Sequence, residues 1–335
     1  MKKRYSILLN LVVIGLMIFV LKDINFTEVL SLLKQINLFW FGAAFVSLGL
    51  MFVLWNFRFR NTLSGMLGPK KDFFYFFKVL FSGIFINTIT PGSNVGGEPV
   101  RAYFLNKKFK RQKSKFLGVV FADKFFNMFV FGLFLIFSIL FVLIYIKLPF
   151  VLKIIFEVLL LSIVLISVIL IYFNFKKINF NFRGILKKIY KFKVIRKRFG
   201  KFEKFEGYIV RRIRNLVRFF KKGILNKRIF LVGILLSFFG WVLNYSASYF
   251  LFFAFDIRVS FLSVIIVMTL SYAIGDLSPV PGGIGLVESS MFLLYSAMGV
   301  TGSLAITVVL LSRIIYYFYA LVLGGLSFAH LKLKY

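Results

Sequence analysis

Long apolar runs separated by short basic loops set the pattern of this chain. Crossing a bilayer core of about 30 Å takes about 20 mostly apolar residues in a helix. Segments 5–21, 38–57, 117–146, 150–173, 229–255 and 303–329 meet or approach that length. Two further apolar stretches, 73–105 and 259–299, are each broken midway. The first break reads Asn87-Thr88-Ile89-Thr90-Pro91-Gly92-Ser93-Asn94-Val95-Gly96-Gly97-Glu98-Pro99, and the second reads Gly275-Asp276-Leu277-Ser278-Pro279-Val280-Pro281-Gly282-Gly283-Ile284-Gly285-Leu286-Val287-Glu288. Between 176 and 228 the pattern changes. Phe192, Ile195, Phe199, Phe202, Phe205, Ile209, Ile213, Leu216 and Phe220 recur three or four apart, the stripe of an amphipathic helix.

The distribution of charge decides which runs cross, because basic residues gather in short cytoplasmic loops. With Lys2, Lys3 and Arg4 inside, two spans return the chain to the inner face at Arg58, Arg60, Lys70 and Lys71. The basic stretch 101–115 is then also inside, so 73–100 enters from the cytoplasmic face and returns to it. By the same count 259–299 enters from the outer face, since Asp256 and Arg258 lie outside and Lys332 and Lys334 inside. The expected fold is an all-α polytopic membrane protein with about six full spans plus two oppositely directed re-entrant broken-helix hairpins, an inverted repeat. Its expected divisions are 1–175, a basic amphipathic cytoplasmic segment 176–228, and 229–335. The run 5–21 is read as an uncleaved first span, because no small-residue cleavage site follows it.

Composition agrees with this reading. The chain of 335 residues is 60% hydrophobic, with 48 Phe and a net charge of +33 from 44 basic and 11 acidic side chains. That much apolar surface excludes a soluble nucleic-acid-binding protein and a disordered chain. The lack of Cys removes disulfides, thiolate metal sites and cysteine nucleophiles. No Gly-(x)4-Gly-Lys-Ser/Thr loop for ATP is present, and no cofactor is expected.

Ionisable side chains at membrane depth are the candidate chemistry. Each costs about 2.5–3.5 kcal/mol at the centre of a span, so it needs a partner, a cavity or a function. The group is Glu98, Arg101, Asp123, Lys124, Asp276, Glu288 and Arg313. In both broken segments a Pro-Gly precedes a Glu by the same spacing, Pro91-Gly92 to Glu98 and Pro281-Gly282 to Glu288. Broken helices at matching places in inverted halves point to a substrate site near the bilayer midplane, and their helix N-termini offer free N–H groups to an anion. Glu98 and Glu288 are expected to face a common cavity, with Arg101 and Arg313 as phosphate partners or counter-ions. Competing readings are tight helix packing for the Gly and Pro, a structural ion pair for Arg313, and an interfacial pair with a snorkelling Lys124 for Asp123-Lys124.

The motifs Thr90-Pro91-Gly92-(x)3-Gly96-Gly97-Glu98-Pro99-Val100-Arg101-Ala102-Tyr103, Pro279-Val280-Pro281-Gly282-Gly283-Ile284-Gly285-Leu286-Val287-Glu288 and Leu311-Ser312-Arg313-(x)3-Tyr317 resemble the flippase-like transmembrane domain of the lysylphosphatidylglycerol synthase family. The similarity extends over residues 5–330, with Ser93-Asn94 as a local departure where a further Gly is usual. In full-length members a soluble domain aminoacylates phosphatidylglycerol and the membrane part moves the product outward. The chain ends at Tyr335, so the resemblance implies the lipid-translocating half and not lysyl transfer.

The expected function is therefore translocation of a phospholipid or polyprenyl-phosphate-linked lipid, with Pro91, Gly92, Gly96, Gly97, Glu98, Arg101, Asp123, Asp276, Pro281, Gly282, Gly283, Gly285, Glu288 and Arg313 as binding residues. Its expected partners are membrane lipids, a second copy of the chain or a separately encoded lipid-modifying enzyme, and not nucleic acid. The expected location is the cell membrane with both termini cytoplasmic. The competing class is a membrane transferase acting on a lipid head group, with a carboxylate such as Glu98 as base, or a subunit that presents lipid to another enzyme.

Overall fold

In a computed structural model of the chain, residues 26–68, 72–90, 96–145, 161, 182–276 and 280–335 are described, and among them helices dominate and no strand occurs. The helices are α1 (Phe26–Lys34), α2 (Leu38–Leu67), α3 (Phe73–Ile89), α4 (Gly97–Phe109), α5 (Lys113–Tyr145), α6 (Phe182–Tyr190), α7 (Lys193–Phe199), α8 (Phe202–Leu225), α9 (Lys227–Phe253), α10 (Phe261–Asp276), α11 (Leu286–Ala297) and α12 (Gly302–Lys334). Four of them, α2, α5, α9 and α12, are long and apolar enough to cross a membrane. They correspond to four of the six expected spans. The expected span 5–21 lies outside the described residues, as does 150–173 apart from Leu161.

Local chemistry sets the helix ends. Asn37 caps α2, accepting from the Phe39 and Trp40 N–H groups, and Asn226 caps α9 through Ile229 N–H. Asp72 caps α3 through Tyr75 N–H and also pairs with Lys108, whose ammonium holds the carboxyl below its ordinary range. Thr90 ends α3 in an extended conformation, the geometry favoured before a proline. The basic segment does not form one continuous stripe as expected. It breaks at Gly200 (φ +68°) into α7 and α8, and part of its apolar face meets protein. An added Cβ at Gly118 of α5 would lie 2.3 Å from Leu216 O, and Phe220 rings pack on Phe125 at 6.0 Å.

Packing repeats across the two halves. A span, a broken pair and a second span follow in the order α2, α3/α4, α5 and again α9, α10/α11, α12. The first spans α2 and α9 pack side by side, while α3 lies against the end of α12 and α10 lies against α5, so each half embraces a helix of the other. One apolar core joins Leu48, Phe52, Phe81, Tyr245, Met268, Met291 and Tyr319 from both halves, and a second gathers Phe59, Phe76, Phe104, Phe116 and Leu331. Within α12 the turn Phe318–Leu323 is wound as a π-helix, where the span changes neighbour from α11 to α3. Such bulges are frequent at functional positions in helices.

The broken helices are short. At 1.5 Å per residue, α3 and α10 reach about 25 Å and α4 and α11 about 19 Å, less than a hydrocarbon core of about 30 Å. Their members cross at glycines. A Cβ on Gly97 would lie 2.2 Å from Gly83 O, and one on Gly275 would lie 2.2 Å from Val287 Cγ2.

Candidate functional site

The two breaks meet around a cavity of about 480 Å³. Asn87, Thr88, Glu98 and Arg101 line it from the first broken pair, and Gly275, Asp276, Gly282 and Val287 from the second. The long helices supply Arg58, Asp123, Lys124, Asn127, Asn244 and Arg313. A Cβ on Gly282 would lie 3.5 Å from Thr88 O, which puts the two tips in contact.

Each tip is built around a glutamate in the first turn of its second helix, tied to a cation on the following long helix. Lys124 Nζ sits 2.7 Å from Glu98 Oε1, and Arg313 Nε donates to Glu288 Oε1 at 2.6 Å. The chain separations match closely, since 98 to 124 and 288 to 313 differ by one residue. Glycine backbones make these positions possible. Gly96 (φ +124°) precedes α4, and Gly282 (φ +63°) turns between Pro281 and Gly283. An L side chain rarely adopts either conformation. Side chains then hold the turns. Asn87 Oδ1 accepts from Gly97 N–H at 2.6 Å, and Glu288 Oε2 accepts from Gly285 N–H at 2.7 Å.

The centre of the first half is a buried triad. Asp123, with no exposed side-chain surface, accepts from Arg58 Nε at 2.8 Å and from Arg101 Nη2 at 2.7 Å. Arg58 Nη1 also donates to Asn127 Oδ1 and Ser237 Oγ, both at 3.0 Å. The Arg101 guanidinium stacks 4.0 Å over Phe59.

Several expectations change here. Arg58, assigned by charge counting to a cytoplasmic loop, is buried (3% exposed), because α2 runs on through it to Leu67. Asp123 and Lys124 do not pair with each other, since Asp123 binds the two arginines and Lys124 turns to Glu98. Glu98 lines the cavity, whereas Glu288 does not and stands behind Arg313. Arg313 is committed to protein, with Nη2 donating to Gly282 O at 2.8 Å and Tyr317 OH at 2.7 Å besides the Glu288 pair. Pro91 and Gly92 lie outside the described residues. Asn87, Asn127 and Ser237 escaped sequence reasoning, because amides and hydroxyls within apolar runs carry no charge signal. Arg58 had one, as its three- and four-residue spacing with Met51, Trp55 and Thr62 marks a single helical face.

The family described as the lysylphosphatidylglycerol synthase TM region matches residues 7–324. A UPF0104 membrane protein of Pyrococcus horikoshii is 29% identical over 82% of this chain and 82% of its own length. One from Methanothermobacter thermautotrophicus is 28% identical over 81% of this chain and 78% of its own, and one from Methanocaldococcus jannaschii 27% over 92% and 90%.

Proposed function

This chain belongs to the lysylphosphatidylglycerol synthase transmembrane-region family, and from that premise we propose that it moves a phospholipid or a polyprenyl-phosphate-linked lipid between leaflets. The observation that carries the reading is the charged cavity of about 480 Å³ at the contact of two broken helices. Non-helical backbone at membrane depth is tolerated only against protein or a wet cavity, and here it borders one lined by ion pairs. The short broken pairs act as oppositely directed re-entrant hairpins. The exchange of α3 and α10 between halves suits alternating access by rocking of one half on the other. The head group occupies the cavity while the acyl or prenyl chains stay in lipid. The Glu98–Lys124 and Glu288–Arg313 pairs tie each tip to its neighbouring span and loosen in turn. The protein sits in the cell membrane with both termini cytoplasmic.

Reconstitution into vesicles carrying a fluorescent head-group-labelled phospholipid, with quenching from outside, tests the reading. Wild type is expected to speed leaflet exchange. Glu98→Gln and Glu288→Gln are expected to slow it on the order of tenfold, the equivalent of about 1.4 kcal/mol from one charge-assisted contact. Exchange no faster than in protein-free vesicles would sink the proposal.

A further inference from the structure

The cavity wall is not electrically uniform. Among the described residues Glu98 pairs with Lys124 and Glu288 with Arg313, and Asp276 adds a carboxylate from the second half, whereas Asp123 serves both Arg58 and Arg101, leaving that cluster one positive charge in excess. Donors are in surplus as well. A guanidinium carries five N–H groups, yet among the described residues Arg101 donates a single hydrogen bond, and its buried Nε finds no acceptor. Arg101 is itself only 7% exposed. Each Asp123 oxygen already accepts from one arginine, and the N–H groups of two guanidiniums outnumber the acceptor sites of one carboxylate. Arg58 and Arg101 both line the cavity.

From this we infer that Arg58 and Arg101 form a seat for a phosphate group, with Asp123 as the positioning residue that holds the two guanidiniums side by side. The inference rests on the reading of the cavity as a head-group site and deepens it by placing the phosphate that either lipid carries on these two arginines. Phosphate is the complement of this wall because it brings several acceptor oxygens and at least one negative charge to planar donor forks. Asp123 offsets the repulsion between the arginines without neutralising both. The Phe59 ring under its guanidinium, 4.0 Å from Cζ, and the Asp123 bond hold Arg101 in place before ligand arrives. Arg313 differs from this pair, because the Glu288 carboxylate offsets its charge and Glu288, Gly282 O and Tyr317 take its Nε and Nη2 donors.

Titration calorimetry on the full chain in detergent tests this with three probes: dihexanoyl phosphatidic acid, dihexanoylglycerol, which lacks the phosphate, and inorganic phosphate. Wild type is expected to bind the phosphatidic acid and not the glycerol lipid. Arg101→Gln and Arg58→Gln are expected to weaken binding by about tenfold or more. Arg101→Lys guards against misfolding, since it keeps the charge and its melting temperature reports the fold. It is expected to lose several-fold affinity with the fold intact, because the fork is gone. Equal affinity for the two lipids, or an unchanged affinity in both folded Arg101 variants, overturns the seat. Arginine-dependent binding of inorganic phosphate without binding of the lipid upholds the seat and defeats the lipid reading. Lipid exchange in vesicles that survives both Arg101 and Arg58 substitution does the reverse.

Discussion

Asp123 carries the largest single-residue consequence. It is fully buried between two arginines, and its removal leaves both without their carboxylate. Breaking a buried pair by deleting one partner costs about 3–5 kcal/mol. Asp123→Ala is therefore expected to lower the melting temperature of the purified chain sharply, and Asp123→Asn less, because an amide oxygen still accepts. Equal melting of Asp123→Ala and wild type would remove the triad from the list of structural ties. At this scale the sequence was legible for most charges that stood out against an apolar run, since Glu98, Arg101, Asp123, Lys124, Asp276 and Arg313 all border the cavity, while Glu288 stands behind Arg313. It was illegible where the partner was neutral, as for Asn87 and Ser237, or where charge counting in loops outweighed helical spacing, as for Arg58.

At the scale of elements, the broken pairs depend on close backbone crossing. Gly97→Ala places a methyl against Gly83 O, which has nowhere to yield, and overpacking of this kind costs about 1–3 kcal/mol. Gly42 and Gly132 lie in helices where, among the described residues, nothing comes near an added Cβ, so Gly42→Ala and Gly132→Ala are expected to be neutral or slightly stabilising. Thermal melts of the three variants in one detergent make the comparison, and a Gly97→Ala protein as stable as Gly42→Ala would contradict the crossing. Both breaks were visible in the sequence as Pro-Gly runs, since turn residues act locally. The interruption at Gly200 was not foreseen, because the apolar spacing continues through it and only the positive φ of one glycine marks the end of α7. Nor did the stripe reveal that α8 would set part of its face on α5, a tertiary choice that periodicity does not encode.

The whole molecule is two similar halves interlocked through α3 and α10, with the cavity at their shared centre. Hydropathy alone found the four described spans, because lipid imposes length and apolarity on any crossing helix. The exchange of helices between halves left no trace in the pattern, since either partner presents an equally apolar surface. The native chain has no Cys, so single cysteines report access cleanly. Asn87→Cys, in the cavity wall, is expected to react with a membrane-impermeant maleimide, and Leu48→Cys, 3% exposed in the core, is not. An unreactive Asn87→Cys would mean that the cavity is sealed from water. A volume of about 480 Å³ holds about 16 waters at the liquid's share of about 30 Å³ each. A head group that enters displaces much of that water, and its departure draws it back, so the occupied and empty proteins differ in hydration. Solutes too large to enter the cavity then act as effectors of lipid binding, favouring the occupied form by osmotic pressure alone.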